Sequence, residues 1–141
     1  LSLCEGGEFV FEDINELRSI GTIDIDTQRV SHPVPCYAIR LSADDKSIVY
    51  TGDTNRWEPL VDFCQGVDVL ICDATFHSDE WHDKLPHLTA AQAAELGRQA
   101  QAGRLILTHF QPGSDGQSLL GEAQAVYAAS EAARSGVRII L

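Results

Sequence analysis

The chain has 141 residues, 44% of them hydrophobic, enough for one compact domain and too few for two. Lys and Arg number 10 against 21 Asp and Glu, a formal charge of −11, so tight binding of a polyanion would work against the protein's own field. No apolar run approaches the roughly eighteen residues of a membrane span, and no basic segment followed by an apolar stretch opens the chain as a secretory signal, so a cytoplasmic protein is expected.

The first part reads as extended chain. GEFVF at 7–11, GTIDIDT at 21–27 with alternating Ile23 and Ile25, and VPCYAIRL at 34–41 are β-prone runs parted by polar or turn-prone residues, the pattern of an antiparallel region. From Ser42 the character changes: SADDK makes a polar turn, and SIVYTGD is a short apolar strand of the kind buried on both faces. Trp57, Leu60, Val61 and Cys64 then recur at helical spacing, with Gly66 placed to end the helix. VDVLICD is a second continuous apolar strand, closing on Asp73. A polar loop with His77, Trp81 and His82 leads to HLTAAQAAELGRQAQAG, where Thr89 and Gln92 have capping-box spacing and Gly103 is the expected stop. RLILTHF is a third apolar strand, ending in His109. Leu119 to Ser135 reads as a further helix and VRIIL as a last strand. The four cysteines show no Cys-x-x-Cys spacing, Cys64 and Cys72 sit among apolar residues, and no disulfide is expected.

From Lys46 onward, strands alternate with helices, which predicts an α/β architecture with a mostly parallel sheet and right-handed crossovers. In such sheets the carboxyl ends of the strands gather at one rim, where ligands bind. Asp53, Asp73 and His109 each close a strand and are expected there. That trio has two readings: a hydrogen-bonded cluster in which the aspartates cap turns, or a metal site. Two more histidines bear on the choice. His32 lies in SHPVPCYAIRL, flanked by prolines that exclude it from a central ladder, so it is expected at a strand start or bulge. His87 lies just before the Thr89 cap, at the positive end of a helix dipole. Three histidines and one or two carboxylates at strand ends and loops are donors that suit zinc, manganese or iron.

The stretches SHPVPCYAIRL, IVYTGDT, DVLICDATF, PHLTAAQAA and LILTHF resemble, in order and character, the second half of metallo-β-lactamase-fold hydrolases, and among these the ribonuclease Z-like branch most. The resemblance runs from about Arg29 to Pro112. It implies half of an αββα sandwich, with antiparallel N-terminal strands followed by alternating β-α-β units, and a dinuclear zinc-type site. It further implies that His32 is a ligand of the first metal, Asp53 the carboxylate bridging both, and His109 a ligand of the second. His87 is similar to the family's non-ligand histidine, which acts on the transition state or leaving group, and Asp53 and His87 are the catalytic pair so implied. Asp73 takes the place of an acidic residue that orients His87 or a ligand histidine.

The sequence also departs from that pattern. The family's leading motif, His-x-His-x-Asp-His, is absent, and its nearest look-alike, HSDEWHD with His77, His82 and Asp83, has other spacing and follows the second apolar strand. Those residues are expected in an exposed loop, a lip over the site. The leading motif belongs well before the residue matched by His32, so residues 1–141 are expected to be a single partial domain, the C-terminal half of a longer hydrolase, inactive alone. Each metal would find two ligands here where zinc takes four. An uncovered sheet face would favour association, with a homodimer as one form. The expected substrate is a small phosphodiester or related ester. A tRNA substrate is disfavoured by the acidic balance and by the short interval between His32 and Asp53, which leaves no place for the basic arm of the tRNA-processing members.

Overall fold

Ile23 and Ile25 alternate with Asp24 and Asp26 in β2 (Ile23–Arg29), which pairs antiparallel with β1 (Ser19–Ile20) on one side and with β3 (Tyr37–Ala43) on the other. The computed structural model describes Asp13, Glu16 and residues 18–141, and the expected GEFVF strand lies outside them. β3 returns as β4 (Lys46–Tyr50) through Asp44 and Asp45, with φ of 49° and 62°; this two-residue turn has the twist its flanking strands require.

At β4 the sheet changes sense. β4 is antiparallel to β3 but parallel to β5 (Val69–Asp73), and β6 (Arg104–Thr108) and β7 (Ser130–Ala132) continue in parallel, so the seven strands of the described residues lie side by side in chain order. Each parallel step is bridged by a helix: α1 (Pro59–Phe63), α2 (Ala90–Gln99) and α3 (Gly116–Val126). Thr89 caps α2 by accepting the Gln92 N–H, while the Gln92 side chain accepts the Thr89 N–H; such a cap contributes about 1 kcal/mol.

The core lies between the helices and one face of the sheet. Val49, Leu70, Cys72, Leu105 and Leu107 meet Leu60 and Cys64 at α1, Ala93 and Ala94 of α2, and Leu119 and Ala123 of α3. Strand alternation sends Leu41 and Tyr50 to the opposite face, where with Ile23 they are 37–43% exposed. Cys36, Cys64 and Cys72 are free thiols, and burial pushes Cys64 up to about 12 against the counter-pull of Arg40.

The structure corrects the sequence reading at three points. The helix expected over Leu119–Ser135 is α3, Gly116–Val126, and the alanine-rich segment after it becomes β7. Alanine favours helix, but the open edge of β6 offers Ser130–Ala132 a ladder opposite Leu105, Ile106 and Leu107, and tertiary pairing overrides propensity. VRIIL forms no strand, because the place beside β6 is already taken. α2 ends at Gln99, before the expected stop. Gln101, with φ of 53°, turns the chain, and Gly103 is needed for another reason: a Cβ there would lie 2.8 Å from the Asp68 carbonyl oxygen.

Candidate metal centre

β4, β5 and β6 are parallel neighbours, so their carboxyl ends open on the same rim. β4 leaves the sheet through Thr51 and Gly52. Gly52 has φ of 62°, and a Cβ on it would stand 2.9 Å from the Tyr37 carbonyl oxygen and 3.0 Å from Cys36 Sγ, so only glycine can deliver Asp53 to the rim by this path. Asp73 is the last residue of β5 and is buried. His109 follows β6 directly in the left-handed region, φ 64°, a conformation that costs a non-glycine residue about 1–2 kcal/mol.

The two histidines from loops arrive differently. His87 precedes the α2 cap, as its sequence position implied. His32 sits in the 30–36 loop joining β2 to β3, rather than at a strand start or bulge; Pro33 and Pro35 hold it off both ladders, and the Val30 N–H closes the loop on the Cys36 carbonyl at 3.0 Å.

Donor atoms from Asp53, Asp73, His87 and His109 all lie within 4.8 Å of one another. The His32 ring adjoins this group, 5.5 Å from His87 between centroids, and the His87 and His109 rings are 4.7 Å apart. The closest set thus includes Asp73 and His87, and His32 stands beside it. His77, His82 and Asp83 lie outside it, in the connection between β5 and α2, where His82 and Asp83 are exposed.

The two aspartates have different freedom. Asp73 is saturated: Oδ2 accepts the Thr54 N–H at 3.1 Å and His87 Nδ1–H at 2.6 Å, while Oδ1 accepts the Thr75 N–H at 3.2 Å and the Thr75 hydroxyl at 2.7 Å. It can orient other groups and has little lone-pair capacity left. Asp53 accepts no hydrogen bond among the described residues, and its ion-pair contact, His109 Nε2, stands at 3.7 Å, so its oxygens are uncommitted. The Thr75 hydroxyl has two oxygen acceptors, Asp73 Oδ1 at 2.7 Å and the His109 carbonyl at 3.0 Å; with its proton on either, His109 Nδ1, 2.8 Å away, is the donor to that hydroxyl oxygen, and the lone pair falls on Nε2, toward Asp53. Thr54 and Thr75 carry no signal in the sequence beyond following Asp53 and Asp73.

The donor set fits a divalent cation. Among the described residues neither carboxylate has a Lys or Arg within ion-pair distance, and His32 Nδ1 is buried without a hydrogen-bond partner, which a metal ligand would be. The rim's field extends to Tyr50, whose phenol is held above its usual range by burial, then by Asp53 and Asp73.

The sequence profile of the beta-lactamase superfamily domain matches residues 7–110. A probable metallo-hydrolase, YhfI of Bacillus subtilis, is 30% identical over 107 residues, covering 76% of this chain and 44% of that protein. Ribonuclease Z of Porphyromonas gingivalis is 41% identical over 95 residues, 65% of this chain and 31% of the enzyme. The crystal structure of YhfI, described as a metallo-beta-lactamase fold protein, superposes with a TM-score of 0.83 at 28% identity over 89% of this chain and 52% of that one. Human tRNase Z, short form, gives 0.60 at 25% identity over 65% and 37%. The chain spans less than half the length of the curated relatives it matches.

Proposed function

Because the chain belongs to the beta-lactamase superfamily, we propose that it forms one half of the catalytic domain of a metal-dependent hydrolase cleaving phosphodiester or related ester bonds. The observation that carries this reading is Asp53, a carboxylate with uncommitted oxygens beside His109 and within 4.8 Å of the Asp73–His87 pair. His32, Asp53 and His109 would hold the metal, zinc being the ion such donors favour, and the remaining ligands would come from a part of the protein outside this sequence. A pair of such ions, when bound, supplies Lewis acidity toward phosphoryl or carbonyl oxygens and activates water. By itself the chain would be inactive.

His87 carries the proton chemistry. Asp73 holds its Nδ1–H, which leaves Nε2 as the atom able to give a proton to a departing oxygen. Asp73 acts through that ring and is a positioning residue. The ribonuclease Z relatives favour a phosphodiester as the bond class. Transfer RNA is not the substrate proposed: between the His32 loop and Asp53 lies only the tight β3–β4 hairpin, with no arm to grip it, and the charge is −11.

The test is zinc content by mass spectrometry and hydrolysis of bis(4-nitrophenyl) phosphate, in the full-length protein, for wild type and Asp53→Ala. Wild type is expected to hold zinc and turn over the probe, and Asp53→Ala to lose both by at least about tenfold while staying folded by circular dichroism. A wild type that takes up no zinc, or an Asp53→Ala protein with unchanged metal content, overturns the reading.

A further inference from the structure

His32, Asp53 and His87 reach the rim on three separate loops, none with regular secondary structure at the residue in question. One residue is bonded to all three. Asn55 lies two positions after Asp53. Its backbone N–H donates to the Ser31 carbonyl at 2.8 Å, next to His32. Its side-chain Nδ2 donates to the Leu85 carbonyl at 2.6 Å and reaches the Asp83 carbonyl at 3.4 Å, in the segment that leads into His87. Its Oδ1 accepts the Arg56 N–H at 2.6 Å, which fixes the amide's orientation. Thr54 completes the joint: its N–H goes to Asp73 Oδ2 and its hydroxyl to the Asn55 carbonyl at 2.8 Å.

From this arrangement we infer that Asn55 is a positioning residue, setting the loops of His32, Asp53 and His87 relative to one another. The inference rests on the hydrolase reading above for its catalytic meaning. A primary amide is the side chain that meets the demand, since at this length it offers an acceptor to its own following N–H and donors to two carbonyls across the gap. An aspartate would keep the first bond and set a carboxylate against two carbonyl oxygens. Sites of this kind depend on placement to a fraction of an ångström, so loosening the His87 loop is expected to show in the chemistry before it shows in the fold.

Asn55→Asp is the informative variant, because it keeps the shape, the backbone bond to Ser31 and the acceptor for Arg56. Two readouts apply in the full-length protein: Co²⁺ affinity from visible absorption, and the ring resonances of His32 and His87 by ¹⁵N-edited NMR in the metal-free state. Asn55→Asp is expected to weaken Co²⁺ about tenfold, to shift His87, and to leave His32 in place because its tie is made by the backbone. Tyr127→Phe is the control, removing the hydroxyl bond to the Ala102 carbonyl at the opposite end of the strands; it is expected to lower the melting temperature with Co²⁺ affinity unchanged. Wild-type affinity together with an unmoved His87 resonance in Asn55→Asp overturns the inference, as does an equal loss of affinity in Tyr127→Phe. A wild type that binds no Co²⁺ defeats the hydrolase reading alone, and the His87 resonance in metal-free Asn55→Asp then decides the positioning claim.

Discussion

Two histidine–carboxylate pairs occur in the connection between β5 and α2, and they are chemically the same contact. His87 Nδ1 lies 2.6 Å from Asp73, and His77 Nδ1 lies 2.5 Å from Glu122 of α3. Their surroundings separate them. The Asp73 side chain is 1% exposed, receives donors from Thr54 and Thr75 as well, and stands among donor atoms brought by neighbouring strands. The Glu122 side chain is 29% exposed, and its second oxygen accepts the N–H and hydroxyl of Ser78, so this pair fastens a loop to a helix. A histidine beside a carboxylate is therefore not in itself a sign of chemistry. Convergence of independent elements on an oriented ring is what sets the Asp73–His87 pair apart as the candidate.

The largest way to break this comparison is Asp73→Asn. Two N–H groups, a hydroxyl and an imidazole would be left to share a single acceptor oxygen beside a new NH₂, and a loss of about 3 kcal/mol is expected by urea denaturation. The counterpart Glu122→Gln is expected to cost about 0.5 kcal/mol, in the range of an exposed ion pair. Equal losses in the two would show that both pairs are structural. Thr75→Val comes next, at about 1–2 kcal/mol, because it strips one donor from Asp73 and leaves His109 Nδ1 without its acceptor. Its specific mark is a change in the His109 tautomer, read from ¹⁵N shifts, with the His77 ring unchanged.

The smallest effect is a pH dependence carried by the surface pair. The Glu122 hydrogen bond raises His77 above the ordinary value of 6.5; desolvation opposes it, and the charges of Glu122, Glu80 and Asp79 add smaller upward pulls. Burial pushes Glu122 up, but the bonds from Ser78 and His77 outweigh it and hold the carboxyl below 4.5. The histidine's contribution is complete below about pH 6.5 and fades as pH rises through its raised value; the glutamate's is complete above about pH 4.5 and fades as pH falls through its lowered value. The pair is thus worth most between those limits. An NMR titration of Glu122→Gln should return His77 toward its ordinary value and flatten this part of the stability profile.

The sequence made much of the frame legible because its signals were local. Continuous apolar runs marked β4, β5 and β6, capping-box spacing marked the start of α2, and closing residues placed Asp53, Asp73 and His109 at one edge. β7 was hidden because Ser130–Ala132 has the composition of a helix and becomes a strand through a neighbour distant in sequence. The same reason hides Thr54, Asn55, Thr75 and the His77–Glu122 clasp: their roles are contacts across the fold, and nothing in short-range spacing announces a bond from Asn55 to Leu85. His32 was visible as a proline-flanked histidine, yet the burial of its Nδ1 without a hydrogen-bond partner appears only in three dimensions.

The left-handed backbone at His109 places thermal robustness and the presence of an imidazole at the rim in opposition at a single codon. Glycine takes that conformation without penalty, so replacing the imidazole there removes a strain of about 1–2 kcal/mol along with a donor. A library of this chain sorted for heat resistance alone would be enriched in glycine at this position, and the winners would be the variants that had given up an imidazole at the rim of the sheet.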